Sequence, residues 1–120
     1  MVNVKSKAYD ILSDERITSL VEDVFEGYPE TVEVFPCVCF LDSGQEDLEY
    51  ADNHNLSTVY RVEVHIFTKA LDGYLTTFDI GSVIEAVMKE NDFIPTMNVE
   101  TPDADDSVRH RVMEFKNWSF

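Results

Sequence analysis

Apolar residues recur through the first 25 positions at the spacing of helix turns. Val4, Ala8, Ile11 and Leu12 fall on one face, and Ser13-Asp14-Glu15 reads as an N-cap followed by an acidic first turn. Ile17, Leu20, Val21, Val24 and Phe25 then follow the i, i+3, i+4, i+7, i+8 stripe of an amphipathic helix, which Gly27 and Pro29 stop. The pattern fits one helix kinked near Ser13 or two short helices meeting there. The period then shortens to two in TVEVFPCVCFLD, which predicts a strand over about residues 32–41. Pro36 removes a ladder donor from that strand, which places it at a sheet edge or gives it a bulge.

The polar stretch QEDLEYADNHN follows, with too little apolar content to be core. It leads into the cleanest alternation in the chain, residues 57–69. There Tyr60, Val62, Val64 and Ile66 form one face, while Arg61, Glu63, His65 and Lys69 form the other. A turn at Leu71-Asp72-Gly73 precedes a helix capped by Thr76 or Thr77, with the stripe Ile80, Val83, Ile84, Val87 and Met88. Gly81 costs that helix about 1 kcal/mol relative to Ala, which points to close packing there. Phe93-Ile94-Pro95 leads to a short strand near residues 96–100. A second acidic link, TPDADD, precedes a closing strand over about 107–116, where Arg109, Arg111, Met113 and Phe115 share a face. The order α(α)-β-β-α-β-β predicts one α+β domain over residues 1–120. Its sheet is antiparallel, mainly four-stranded, with helices packed on one face.

Charge changes the picture more than composition does. The 44% apolar content is ordinary, and 120 residues suffice to bury roughly two-thirds of the unfolded surface without metal or disulfide. Against 9 Lys and Arg stand 24 Asp and Glu, a net charge of −15. A nucleic-acid-binding module carries a basic footprint, and an anionic membrane surface attracts basic segments, so both partner classes are disfavoured. No run approaches the roughly 20 apolar residues of a membrane span. MVNVKSKAYD lacks the apolar core of a secretory signal, so the cytoplasm is the expected compartment.

Candidate chemistry is sparse. Cys37 and Cys39 sit at strand spacing with no second Cys/His pair, so two small core thiols are expected in place of a metal half-site or a disulfide. His65 and His110 lie on predicted strands; if these pair, Glu63 and Glu114 would complete an acid–base set of the kind small nucleases use. The alternative places both histidines on solvent faces. His54 falls in the polar link. TPDADDSV has the carboxylate density of a calcium loop but lacks the glycine at its sixth position and the glutamate at its twelfth, so a solvated acidic loop is expected. No phosphate-cradling glycine loop, nucleophile elbow or zinc-protease motif is present. The expectation is a non-enzyme without catalytic, cofactor-binding or metal residues.

The basic residues group by strand face, Arg109 with Arg111 and Arg61 with Lys69, and in so acidic a chain they are expected to meet carboxylates within the fold or on a neighbouring copy. Phe67 on the polar face, with Trp118 and Phe120 at the end, lacks an obvious place in a monomer core. The polar segment is expected to be an extended hairpin arm that orders on a neighbour. The candidate interface is therefore Glu46, Asp47, Glu49, Tyr50, Asp52, Asn53, Arg61, Phe67, Arg109, Arg111 and Trp118.

The pieces also have a specific order. A helical run ends in FEGYPE, and VFPCVCF follows; YADN precedes YRVEVHIFTK; IGSVIEAVMKENDF leads into Phe93-Ile94-Pro95; and RHRVMEF closes the chain. From about residue 12 to residue 115 this layout resembles the tail-terminator and head–tail joining proteins of long-tailed bacteriophages and prophages, a group also described as tail-completion or minor capsid proteins. The cysteine pair and the acidity depart from that pattern. The resemblance implies an α+β fold that assembles as a homo-oligomeric ring, commonly a hexamer. Such a ring would cap the tail tube and contact a tail-tube protein and a head-connector protein. DNA would pass its lumen without specific binding. The expected location is the virion, and the host cytoplasm during assembly. Competing classes are a small acidic adaptor or inhibitor of a basic host protein, and a small hydrolase built on His65 and His110.

Overall fold

A computed structural model describes residues 4–49 and 55–119, with side chains described for 7–42 and 60–117. Helices α1 (Val4–Leu12) and α2 (Glu15–Thr18) open the chain, followed by strands β1 (Asp23–Glu26), β2 (Cys37–Glu49) and β3 (Asn55–Lys69). Helix α3 (Thr77–Glu90) and strands β4 (Ile94–Thr101) and β5 (Val108–Ser119) complete it. The strands form one sheet in the order β1-β2-β3-β5-β4. The α+β class holds, and β3 is the central strand.

Two short helices meet at Ser13. Asp14 caps α2, its carboxylate accepting from the Arg16 backbone N–H at 2.9 Å. Thr76 caps α3 in the same way, accepting from the Asp79 N–H at 3.1 Å. Asp92, at φ +67°, takes the left-handed conformation that ends α3 and turns Phe93 into the core. The helices cover one face of the sheet. Ala8, Leu12, Ile17, Ile80, Ile84 and Met88 meet Val38, Phe40, Tyr60, Val62, Val64, Ile66, Met113 and Phe115 there. Each fully buried Leu, Ile, Phe or Met contributes about 1.5–3 kcal/mol. Gly81 does sit at a close approach: a Cβ there would lie 3.3 Å from Arg111 Cδ and 3.3 Å from Met113 Sδ.

Three sequence expectations are corrected. The sheet has five strands, because the stripe expected to stay helical through Phe25 leaves the helix after Thr18 and forms β1, paired parallel to β2. As a strand, this segment sends Val24 to the main core and Phe25 to the opposite face, a division no helical stripe allows. It also pairs a side of β2 that would otherwise be an open ladder. Secondly, β2 starts at Cys37 instead of residue 32, so Pro36 stands before the ladder and β2 is flanked on both sides; its register does shift between Asp42 and Gly44. Thirdly, β2 runs to Glu49, past the end expected near residue 41, and so forms one limb of the expected hairpin. Its backbone groups are satisfied by β3 whatever the side chains are, and a two-stranded ribbon needs no apolar face to form that ladder.

Candidate functional site

The β2–β3 hairpin outreaches the sheet. β5 accompanies β3 only as far as the Ser119–Thr58 pair, whereas β2 continues through Leu48–Ser57 to Glu49–Asn55. Glu46, Asp47 and Glu49 lie on the β2 limb of this arm. Tyr50, Asp52 and Asn53, like His54, fall outside the described residues. Arg61 is half-buried at the root, paired with Gly44 on one side and Lys116 on the other. Trp118 stands at the same level, its backbone opposite Val59, and its side chain lies outside the described ones. Phe120 is outside the described residues altogether.

At the other end of β3 a cleft of about 500 Å³ opens between the β3–α3 loop, the start of α3 and β5. The Thr68 hydroxyl donates to the Leu75 carbonyl at 2.9 Å and pins the loop. Arg111 crosses the floor, donating from Nη1 to Asn98 Oδ1 at 2.9 Å and from Nε to Thr77 Oγ1 at 3.2 Å. Thr77 in turn donates to Glu100 Oε1 at 3.0 Å, so a carboxylate stands one hydroxyl away from the guanidinium. Arg109 is exposed, with Nη1 3.4 Å from the Asp106 carbonyl. Leu71 and Phe78 are 60% and 63% exposed, and Tyr74 and Leu75 are exposed beside them. The sequence had offered Arg109 and Arg111 but not these four apolar groups. A signal existed: Phe78 lies off the α3 stripe, on the face a solvated helix fills with polar residues.

The sheet's second face carries the histidines, and here the placement is corrected. His65 and His110 are 5% and 6% exposed, not solvent-facing, and Phe67, expected as a surface aromatic, is 1% exposed. The loop between β1 and β2 folds across this face and lays Tyr28, Val32 and Phe35 over Phe67, Cys37, Cys39 and Val108. His65 Nδ1 and His110 Nε2 lie 2.7 Å apart, so one ring supplies the shared proton, and His65 Nε2 bonds Glu63. Phe67 stacks on His110 at 4.2 Å, and Tyr28 meets His65 edge-on at 4.9 Å. Glu114 is not part of this chain of bonds; its carboxylate accepts from the Thr96 hydroxyl at 3.0 Å. Burial and the neighbouring His65 hold the His110 imidazole below its ordinary value. The expected juxtaposition of the two histidines is therefore present, but a substrate would find both rings covered. Phe67 likewise has no surface left to offer a partner.

Cys37 and Cys39 are free and buried, and burial pushes their thiols up to about 11 and about 12. Among the described residues no group of three or more His, Cys, Asp or Glu is arranged to hold a metal ion. The acidic link is closed by its own turns, with Asp105 N–H donating to Asp103 and Ser107 to Asp105.

No protein-family profile matches the chain, and no curated protein does. Solved structures do. A chain in the virion of a native gene transfer agent particle superposes with a TM-score of 0.60 at 14% identity, over 91% of this chain and 88% of that one. The gp17 protein of bacteriophage SPP1 does so with a TM-score of 0.56 at 15% identity, over 94% and 86%. The fold is shared with phage-type particle proteins. The likeness covers most of the length of this chain and of both neighbours.

Proposed function

We propose that this chain is a structural protein of a phage or prophage particle that forms a ring at the tail end, terminates the tail tube and joins tail to head. The observation that carries this is the likeness, over most of its length, to a chain of a gene transfer agent virion. The long hairpin adds support, since a ring needs contacts between unlike faces of neighbouring copies and an arm standing clear of the sheet supplies one. Its partners are further copies of itself in a ring, hexameric by the sequence resemblance, together with a tail-tube protein and a head-connector protein. DNA traverses the lumen without being gripped, because a net charge of −15 repels phosphate. The role is non-enzymatic and is exercised in the virion, with assembly in the host cytoplasm.

Negative-stain imaging of tails assembled with and without the protein tests this. With it, tails of uniform length carrying heads are expected; without it, overlong or headless tails. Identical tails in both preparations refute the role. Tight, salt-sensitive capture of a basic host protein, with no effect on tails, would move the chain to the acidic-inhibitor class. Deleting residues 46–53 is expected to leave the fold intact and abolish assembly. Lost folding would show that the arm is part of the core instead.

A further inference from the structure

We propose that the acidic arm of one copy docks in the basic, apolar-rimmed cleft of the next. The contact presupposes the ring-forming role above and names the two surfaces that make it.

Charge is the first ground. Carboxylates outnumber Lys and Arg by 24 to 9 in the chain, yet the cleft is lined by Arg109 and Arg111 against a single carboxylate, Glu100, while Lys69 at its edge lays its ammonium over Phe35. Between Asp42 and Arg61 the chain has no Lys or Arg, and the β2 limb of the arm carries the sequence Glu46-Asp47-Leu48-Glu49. An acidic strand with an apolar residue among its carboxylates is complementary to a cationic cleft rimmed by Leu71, Tyr74, Leu75 and Phe78. Adjacent exposed apolar groups of this size on so charged a chain mark an interaction site. Arginine also suits the task, because its planar fork binds carboxylates in pairs of hydrogen bonds.

Geometry is the second ground. The arm leaves β3 at Asn55 and the cleft begins at Thr68, toward the opposite end of a 15-residue strand. At a rise of about 3.3 Å per residue they stand roughly 45 Å apart along a rigid strand, so the arm cannot fill its own cleft. Any arm in the cleft belongs to another copy. Such a contact joins unlike surfaces, repeats head to tail, and closes into a ring when the rotation per copy permits.

The test uses full-length protein in two forms. A Ser57→Cys variant carries a nitroxide spin label on the arm, the native cysteines being buried, and is mixed with isotope-labelled wild type. Intermolecular loss of amide signal is expected at Lys69, Tyr74, Phe78 and Arg109, and it should shrink as salt is raised. Combining Arg109→Glu with Phe78→Ser in the labelled partner should abolish it. Pairing an Arg109→Glu partner with an arm carrying Glu46→Lys and Glu49→Lys should restore it. Broadening that is uniform, centred on β4 or the histidine face, or absent at millimolar protein overturns the docking. If tails still require the protein in that case, the ring role stands and only this contact falls. If neither tails nor copies engage, both fall.

Discussion

Replacing Phe67 by alanine separates two pictures of the molecule. On the sequence pattern alone Phe67 belongs to the polar face of β3, and a surface substitution there would change stability by no more than about 0.5 kcal/mol. In the structure Phe67 is 1% exposed, packs with Cys37, Cys39 and Val108, and stacks on His110 at 4.2 Å. Phe→Ala at a site with these neighbours costs about 3–5 kcal/mol, the lower end applying if the covering loop settles into the space. A chain of 120 residues has a total stability of about 6–18 kcal/mol, so this one change removes a large part of it. In urea, with a slope of about 1.5 kcal/mol/M, the midpoint should fall by about 2 M or more with the slope unchanged. A Phe67→Leu variant should recover most of the loss. A shift of less than about 0.5 kcal/mol for Phe67→Ala would mean that the second face is not a core.

The histidine pair predicts a pH dependence. His110 is held below its ordinary value of about 6.5, so the unfolded chain binds its proton more readily than the folded one. Its contribution to stability is complete above pH 6.5 and is lost as pH falls through the folded value, even with Glu63 and Asp103 nearby drawing the proton the other way. Urea midpoints measured from pH 7.5 down to 5 should therefore decline, and His110→Gln should flatten the slope; a slope unchanged by that variant refutes the assignment. Cys37 and Cys39, with thiols raised to about 11 and about 12, should resist a thiol reagent at pH 8 in the native protein and react fully in denaturant. Stoichiometric labelling of native protein would contradict their burial. Gly81→Ala should be nearly neutral, since about 1 kcal/mol of helix propensity offsets the 3.3 Å approach to Arg111 Cδ and Met113 Sδ, whereas Gly81→Leu should cost about 1–3 kcal/mol by thermal melting. An unaffected Gly81→Leu protein would show that α3 does not sit this close to β5.

Elements whose side chains report only their own surroundings were legible. Tyr60, Val62, Val64 and Ile66 alternate because one sheet face is buried, and Ile80, Ile84, Val87 and Met88 repeat because one helix face is. β1 was not legible, because Ile17, Val21, Val24 and Phe25 satisfy a helical stripe as well as a short strand, and only the open side of β2 decides between them. The second face was hidden for a related reason. Phe67, His65 and His110 become interior only when the loop bearing Tyr28, Val32 and Phe35 folds back over them, a long-range event that no local period records. The candidate surfaces divided similarly. The acidic arm stood out by its composition, and Arg109 and Arg111 by their scarcity. The apolar rim of the cleft, Leu71, Tyr74, Leu75 and Phe78, sits within eight residues of turn and helix start, and its signal was the place of Phe78 off the α3 stripe.

The central strand also has a mechanical consequence. β3 carries the arm at one end and is laddered to β2 from Asn55 to Phe67 and to β5 from Thr58 to Lys69. A tug on the arm along the strand axis therefore loads those bonds in shear, all together, instead of peeling them one after another. Along its axis the arm is thus held by two ladders at once.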